Sequence, residues 1–299
     1  MDRDELDTLL RDAPRPPDPT LEDERAGFAQ FATRPLPGDV TASDTTLGGR
    51  PALDLQVEPA RRAGRLLYFH GGGYMVGSPR THAGLTAELA RRTGVHAVSL
   101  DYRRTPEHPF PAATDDALAA YRALLDGGIR PGELVLAGDS AGGALVVATL
   151  LGARSAGLPQ PAAAVVFSPW VDLTLAGASL RTKHGTDPIF TVEHLRHYTD
   201  AYLPAASAAD LSQPLASPVF TDLRGLPPLL IQVGSNEVLL DDAVRLAGRA
   251  GADDVDVTLR VWPQVPHVFQ LQYGRLSEAD AAVDQAAQFL AGHLDVAGG

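Results

Sequence analysis

The chain has 299 residues, of which 44% are hydrophobic and 21% are charged, so it holds enough apolar material for a large folded core. This composition excludes a disordered or fibrous protein. The formal net charge is −12, and an acidic surface repels phosphate backbones and anionic lipid, which argues against nucleic-acid and membrane-surface binding. The single lysine, Lys183, is followed by His184, which excludes a Walker A phosphate-binding motif.

Cysteine is absent, which excludes disulfides, thiolate metal sites and a cysteine nucleophile. Residues 1–19 are acidic and end in a proline-rich stretch that includes Pro16 and Pro17, with none of the features of a signal peptide. The uncharged apolar stretch at residues 140–153 is too short and too rich in glycine to span a bilayer. We therefore expect a soluble, cytoplasmic protein whose chemistry uses serine, histidine and carboxylate groups.

From about residue 66 onward, short apolar runs alternate with stretches of helical spacing. The runs predict strands, and the 3.6-residue spacing predicts helices. The predicted strands are residues 66–69, 95–100, 133–137, 163–167, 229–233 and 255–261. The predicted helices are residues 80–93, 111–125, 141–154, 192–202, 241–250 and 278–294. This repetition, with nearly continuous apolar strands, predicts an α/β fold with a mostly parallel central sheet and helices on both faces.

Two segments interrupt the alternation. Residues 1–50 are polar, with one amphipathic stretch near residues 21–31, and residues 171–220 replace a short connection between sheet elements. Long insertions of this kind commonly cover an active site. The predicted organisation is an N-terminal cap segment, residues 1–50, and a catalytic domain, residues 51–299, which carries a mainly helical cap insertion at about residues 171–220.

The strongest local signal is the sequence GDSAGG at residues 138–143, between a predicted strand and a predicted helix. Small residues on both sides of a serine let a strand turn sharply into a helix, which exposes the hydroxyl at the end of the strand. The helix N-terminus beneath it offers free N–H groups to a developing oxyanion. Ser140 is therefore the candidate nucleophile, and the alternative interpretation is a glycine-rich turn with an incidental serine.

A second glycine-rich sequence, HGGG at residues 70–73, follows the predicted strand 66–69. Consecutive glycines let the backbone bend inward and present N–H groups where a side chain would collide with a substrate. Loops of this kind complete the oxyanion hole of lipases and esterases. A dinucleotide-binding fingerprint is excluded because it requires glycine at the position of Val76.

A serine nucleophile needs a base, and the base needs an orienting acid. His267 follows one predicted strand, and the carboxylates Glu237, Asp241 and Asp242 follow another. The order serine, acid, histidine along the chain is that of α/β-hydrolases and differs from the orders of trypsin and subtilisin. The spacing alone leaves open which carboxylate is the acid.

Together these sequences resemble the bacterial hormone-sensitive-lipase-like carboxylesterases, a branch of the α/β-hydrolase fold. GDSAGG and HGGG are motifs of that family, and residues 101–113 are similar to its DYRLAPE-x-PFPAA segment. The resemblance covers roughly residues 65–295. The chain departs from the family pattern at Arg104-Thr105, where Leu-Ala is usual, and at Gln264-Val265, where Gly-Met is often found.

The resemblance implies that Ser140 is the nucleophile, His267 the base and Glu237 the acid, at a position where the family usually has aspartate. The implied oxyanion-hole donors are the backbone N–H groups of Gly72, Gly73 and Ala141. The family also implies a cap built from the N-terminal segment and the insertion.

The predicted reaction is hydrolysis of short to medium chain acyl esters through an acyl-enzyme. The expected partner is a small-molecule ester, no cofactor is expected, and a homodimer is left open. His194 and His197 are three residues apart on a predicted helix, but without an accompanying ligand pattern they do not predict a metal site. Two alternatives are an amidase or arylformamidase with the same triad and a non-catalytic small-molecule receptor, which the presence of His267 disfavours.

Overall fold

The computed structural model describes residues 1–14 and 19–294, so Pro16, Pro17 and residues 295–299 of the predicted catalytic domain lie outside the described residues. The strands are β1 (Val40–Leu47), β2 (Arg50–Val57), β3 (Arg65–Phe69), β4 (His96–Leu100), β5 (Leu134–Asp139), β6 (Ala163–Phe167), β7 (Leu229–Gly234) and β8 (Val257–Trp262). The α-helices are α1 (Arg3–Arg11), α2 (Leu21–Ala32), α3 (Ala83–Thr93), α4 (Ala112–Asp126), α5 (Ala141–Ser155), α6 (Ser179–Thr182), α7 (Val192–Tyr202), α8 (Ala208–Leu211), α9 (Leu240–Ala252) and α10 (Ser277–His293).

The described strands form one sheet in the order β1-β2-β4-β3-β5-β6-β7-β8. Strands β3 to β8 run parallel, and β2 and β1 extend the sheet antiparallel beside β4. The central strand β5 is buried at every position because helices cover both of its faces. The predicted α/β fold with a mostly parallel sheet is confirmed.

Two apolar cores lie on opposite faces of this sheet. Leu67 and Leu136 face the core under α4, α5 and α9, whereas their neighbours Leu66 and Val135 face the core under α3 and α10. Each such fully buried side chain contributes roughly 1.5–3 kcal/mol by leaving water. Helix α5 is buried along nearly its whole length, which explains why its sequence is apolar on all sides.

The hairpin of β1 and β2 is the main element that the sequence pattern did not predict. Strand β1 exposes six of its eight residues, so it lacks the apolar alternation of a half-buried strand. Gly48 and Gly49, both with positive φ, form its turn. Leu47 pairs with Arg50, and β1 is part of the sheet. The domain boundary expected between residues 50 and 51 therefore falls within this hairpin.

The described residues of the N-terminal segment form two helices. The amphipathic stretch predicted near residues 21–31 is α2, whereas α1 was not predicted. The Asp2 side chain caps α1 by accepting a hydrogen bond from the Glu5 N–H, and Leu6 and Leu10 bury its apolar side beside α10.

The insertion at residues 171–220 folds as α6, α7 and α8 with connecting loops. Helix α7 has the bounds predicted for it, and the Thr191 hydroxyl caps its first turn by accepting a hydrogen bond from the His194 N–H. Among residues 1–14 and 19–294, no helix combines the length and the apolar character that crossing a membrane requires.

Candidate active site

Ser140 lies in the turn between β5 and α5. Its backbone has a positive φ of 54°, which L-residues rarely adopt, and its N–H donates to the Phe167 carbonyl at 2.8 Å. The flanking glycines make this turn possible. A Cβ on Gly138 would lie 2.4 Å from the Gly142 carbonyl oxygen, and a Cβ on Gly142 would lie 2.0 Å from the Phe69 oxygen. The motif thus fixes Ser140 at the carboxyl end of a buried strand.

The glycine loop after β3 presents backbone N–H groups at the end of that strand. Gly72 and Gly73 have φ values of 118° and 59°, and a Cβ on Gly73 would lie 2.7 Å from the ring of Tyr198. In the part of the chain that the structure describes, the N–H groups of Gly72, Gly73 and Ala141 make no backbone hydrogen bond. Such groups suit an oxyanion, which accepts hydrogen bonds from donors already in place.

A buried polar network lies beneath this loop. Asp139 accepts hydrogen bonds from the Tyr68 hydroxyl (2.8 Å) and the Gly71 N–H (3.0 Å), and it lies 3.3 Å from His82 Nε2. Burial disfavours the Asp139 carboxylate, but His82 and Tyr68 outweigh this effect, so its pKa lies below the ordinary value. Burial, followed by repulsion from His82, lowers the pKa of His70 to about 3, so this ring is neutral and bonds the Gly71 carbonyl (2.8 Å).

His267 and Glu237 form a buried pair. His267 Nδ1 lies 2.7 Å from Glu237 Oε2, and the other carboxylate oxygen accepts hydrogen bonds from the Ser168 hydroxyl (2.9 Å) and the Gly234 N–H (2.5 Å). Ser168 Oγ also accepts a hydrogen bond from the Val268 N–H at 3.1 Å. A carboxylate on Nδ1 favours the tautomer with its proton there, so Nε2 is the basic nitrogen. This buried Nε2 has no hydrogen-bond partner among the described residues.

The surroundings of His267 are acidic. Burial alone would disfavour its imidazolium, but the charge and hydrogen bond of Glu237, followed by the charges of Asp187 and Asp139, outweigh burial and raise the pKa of His267 above the ordinary value. An imidazolium formed by proton transfer at this position is therefore stabilised. That property is what a general base needs in the transition state.

The other two candidate acids bind elsewhere. Asp241 accepts a hydrogen bond from the first N–H of α6 at 2.9 Å. Asp242 accepts two from backbone N–H groups of the insertion, each at 2.9 Å, and burial raises its pKa well above the ordinary value. Both residues therefore hold the insertion to the start of α9, whereas Glu237 is the carboxylate bonded to His267.

These segments meet at one edge of the sheet because each follows the carboxyl end of β3, β5, β7 or β8, which are parallel strands. A chain of bonds connects them across β6. Ser140 donates to the carbonyl of Phe167, and the next residue, Ser168, donates to Glu237. Sequence reasoning singled out neither Ser168 nor Asp139. The available signal was a polar residue at the end of a buried apolar strand.

Two aromatic residues of the insertion cover this edge. The Phe190 ring meets His267 edge-on, with ring centroids 5.0 Å apart and planes at 85°. Tyr198 of α7 packs on Gly73, and its ring lies 6.5 Å from that of Phe190. The insertion therefore contacts both the glycine loop and the histidine.

The N-terminal segment reaches the same loop through Arg25 of α2. Its guanidinium donates to the carbonyls of Met75 (3.1 Å) and Thr105 (3.2 Å) and forms two hydrogen bonds to Glu107 at 2.7 and 2.8 Å. The hydrogen bonds from Arg25 lower the pKa of Glu107 to about 2. Because Met75 lies two residues after Gly73, α2 is fastened to the end of the glycine loop.

The histidine pair on α7 takes part in other contacts. The backbone N–H of His194 donates to the Thr191 hydroxyl, and the ring of His197 lies 3.3 Å from a Glu24 oxygen. Residues 1–14 and 19–294 contain no group of three side chains arranged to bind a metal ion.

Comparisons with known proteins agree with this geometry. A family model described as the alpha/beta hydrolase fold matches residues 66–271. An acetyl-hydrolase from Streptomyces hygroscopicus is 48% identical over 235 residues, which cover 78% of each chain. An esterase from Acinetobacter venetianus is 35% identical and covers 80% of this chain and 87% of its own.

Solved structures agree over almost the whole length. The crystal structure of an esterase from the bacterial hormone-sensitive lipase family superposes with a TM-score of 0.93 at 40% identity and covers 98% of both chains. That of EstE5 soaked with p-nitrophenyl butyrate superposes with a TM-score of 0.93 at 39% identity, with the same coverage. The chain therefore belongs to the α/β-hydrolase fold family, among the bacterial hormone-sensitive-lipase-like esterases, and is a carboxylic ester hydrolase.

Proposed function

We propose that the protein is a serine carboxylesterase in which Ser140, His267 and Glu237 act as a triad. Ser140 Oγ attacks the ester carbonyl carbon, and His267 Nε2 takes the hydroxyl proton and then gives it to the departing alcohol. Water repeats the sequence on the acyl-enzyme, which releases the acid and restores Ser140. Glu237 holds the imidazole in the required tautomer and stabilises its protonated form.

One observation supports this assignment most strongly. His267 binds a buried carboxylate through Nδ1 at 2.7 Å, and its Nε2 has no partner among the described residues. The buried His70 also has an unpartnered Nε2, but its Nδ1 bonds a backbone carbonyl, whereas the carboxylate on Nδ1 of His267 sets the tautomer and supplies the negative charge that a general base needs. A base awaiting the hydroxyl of a nucleophile keeps one nitrogen available.

We propose that the oxyanion of the tetrahedral intermediate binds the N–H groups of Gly72, Gly73 and Ala141. The absence of backbone bonds to these three groups among the described residues supports this assignment. The dipole of α5, which begins at Ala141, adds positive potential at the same place. Removing one such donor typically costs about 10²–10³ in kcat.

The proposed substrates are esters with short to medium acyl chains, of about two to eight carbons. The rings of Phe190 and Tyr198 pack on His267 and Gly73, which limits the room beside the reacting atoms. The similarity to an acetyl-hydrolase and to an esterase soaked with p-nitrophenyl butyrate supports the short end of this range. Because the name acetyl-hydrolase does not state which bond is cut, an amidase with the same triad is the second candidate.

We also propose that residues 1–50 and 171–220 act as the cap. This division is one of function, since β1 within the first segment also belongs to the sheet. The contacts of Arg25 with the glycine loop and of Phe190 with His267 support it. A cytoplasmic location stays a prediction from the sequence, which leaves a homodimer open.

The experiment is a series of p-nitrophenyl esters of increasing acyl length, with p-nitroacetanilide as the amide, measured on the wild type and on Ser140→Ala. We expect kcat/KM to pass through a maximum at or below about eight carbons, since each buried methylene adds about 0.8 kcal/mol until the site is full. Ser140→Ala should lose about 10⁴–10⁶ in kcat. A rise that continues through long-chain esters, with activation on emulsions, would identify a lipase, and faster cleavage of the anilide would identify an amidase.

A further inference from the structure

Asp187 is a buried carboxylate of the insertion that the triad does not include. Its side chain is only 6% exposed. Oδ2 accepts a hydrogen bond from the Val238 N–H at 2.8 Å, and Oδ1 accepts hydrogen bonds from the N–H groups of Ile189 (2.8 Å) and Phe190 (2.9 Å). One side chain therefore connects the insertion with the loop that carries the proposed acid.

These bonds constrain both partners of the acid–base pair. Val238 directly follows Glu237, so its tethered N–H fixes the backbone from which that carboxylate extends. The turn held by Oδ1 places the Phe190 ring edge-on against His267, with the ring centroids 5.0 Å apart. Displacement of Asp187 would free the loop on one side of the pair and the ring on the other.

Asp187 also contributes negative charge beside His267. The charged groups that act on this imidazole are Glu237 from the loop after β7, Asp187 from the insertion and Asp139 from the end of β5, and all three favour its protonated form. On its other side, Asp187 acts electrostatically on Arg11 of α1, whose guanidinium donates to the carbonyls of the two residues before Asp187.

We propose that Asp187 is a positioning residue of the ester-hydrolysing site, which fastens the cap insertion to the Glu237 loop and sets the charge around His267. The inference rests on the proposed function, since it assigns a role relative to that triad. It accounts for a buried carboxylate whose two oxygens are both bonded to backbone groups of the segments that meet at His267.

The test compares Asp187→Asn, Asp187→Glu and the control Asp241→Asn. Asparagine keeps one oxygen for Ile189 and Phe190 but loses the second acceptor and the charge, whereas glutamate keeps the charge at an altered length. The control removes an equal charge from a neighbouring cap contact and keeps one oxygen for the hydrogen bond that Asp241 accepts from the Ser179 N–H. For each folded variant we would measure the pH dependence of kcat/KM on p-nitrophenyl acetate.

The protonation of His267 would also be followed by NMR of isotope-labelled histidine, with the His267 signal assigned by its absence in His267→Asn. We expect Asp187→Asn to lower both the His267 midpoint and the acid limb of kcat/KM by about 0.5 pH unit or more, with a several-fold loss of rate. Asp187→Glu should lose rate while keeping the midpoint near that of the wild type. Asp241→Asn should move neither.

An unchanged His267 midpoint in folded Asp187→Asn would overturn the inference, because a merely structural residue alters the rate and leaves the titration in place. If Asp187→Asn does not fold, Asp187→Glu provides the test. A His267 midpoint that falls by about 0.5 pH unit or more in Asp187→Glu, which keeps the charge, would then overturn the inference. The NMR titration needs no turnover. A wild type without Ser140-dependent hydrolysis therefore counts against the proposed function, and an unmoved titration counts against the role of Asp187.

Discussion

The two halves of the candidate site are built differently. The nucleophile half, residues 70–73 and 138–143, consists of two glycine motifs at the ends of the adjacent strands β3 and β5, and its proposed donors are backbone N–H groups. The acid–base half joins Glu237 and His267, thirty residues apart, through a hydrogen bond between side chains. It is supported by Ser168 and Asp187, which come from other segments.

The first half is therefore set by backbone conformation and close packing around glycines, and the second by hydrogen bonds and charge between side chains of distant segments. Substitutions in the first half should act through steric conflict and lost N–H donors. Substitutions in the second half should act through the protonation and orientation of the imidazole. The following variants test that division.

Glu237→Gln should lower kcat by about 10³-fold or more, because glutamine neither stabilises the imidazolium nor enforces its tautomer. Asp241→Asn, which removes a carboxylate four residues further along, should stay near the wild-type rate. Steady-state kinetics on p-nitrophenyl acetate at a pH above the acid limb would compare the two. A large loss of kcat in Asp241→Asn with only a small loss in Glu237→Gln would show that Glu237 is not the acid of the triad.

Gly73→Ala should lower kcat by about 10²–10³-fold, since the new Cβ would meet the Tyr198 ring at 2.7 Å in a backbone with φ of 59° and would displace a proposed oxyanion donor. Gly49→Ala is the matched control: this glycine also has positive φ, but an added Cβ meets nothing within 4 Å. Both substitutions place a side chain on a backbone with positive φ, but only Gly73 is a proposed oxyanion donor. We therefore expect Gly73→Ala, and not Gly49→Ala, to lose kcat. Equal losses of kcat in the two variants would show that the glycine loop does not form part of the oxyanion hole.

Arg25→Gln should lower kcat/KM by about 3- to 10-fold with a small change in thermal stability, because a partly exposed ion pair contributes only about 0–1 kcal/mol. The loss in rate would come from releasing Met75 at the end of the glycine loop. Arg80→Gln, which breaks an exposed pair with Asp44, serves as the control. Wild-type kinetics in Arg25→Gln would show that α2 does not order the loop.

The wild-type rate should rise with pH as His267 loses its proton, and the midpoint should lie above the ordinary histidine value of about 6.5 because nearby carboxylates raise this pKa. The same shift means that folding favours protonated His267. Its contribution to the free energy of unfolding is therefore fully present below the ordinary pKa and is lost as the pH rises through the raised one. A pH–rate profile would check the direction, and a flat rate down to about pH 5 would contradict a histidine base.

The sequence predicted the parallel sheet correctly, and both glycine motifs lie at the ends of buried strands, as expected from the sequence. Strand β6 and helix α7 have the bounds expected from periodicity, because each is a simple pattern bounded by turn residues or a helix cap. The glycine motifs were also recognisable from their residue spacing, although the steric limit at Gly142 comes from Phe69 on the adjacent strand β3. Element bounds and motifs of this kind can be recognised within a single chain segment.

The remaining features depend on contacts between distant segments. Strand β1 was missed because its side chains are exposed and it is held by pairing with β2. Ser168 and Asp187 support Glu237 and its neighbour across 69 and 51 residues, and no periodicity marks such partners. Arg25 reaches Met75 across 50 residues in the same way.

The central claim is that Ser140 forms the covalent intermediate. Mass spectrometry after treatment with diethyl p-nitrophenyl phosphate tests it directly, because the reagent leaves a stable phosphoryl group on an activated serine. We expect one adduct per chain, located on the peptide that contains Ser140, with complete loss of hydrolysis and no adduct in Ser140→Ala. A full adduct in Ser140→Ala, or hydrolysis that persists in the labelled protein, would contradict the account.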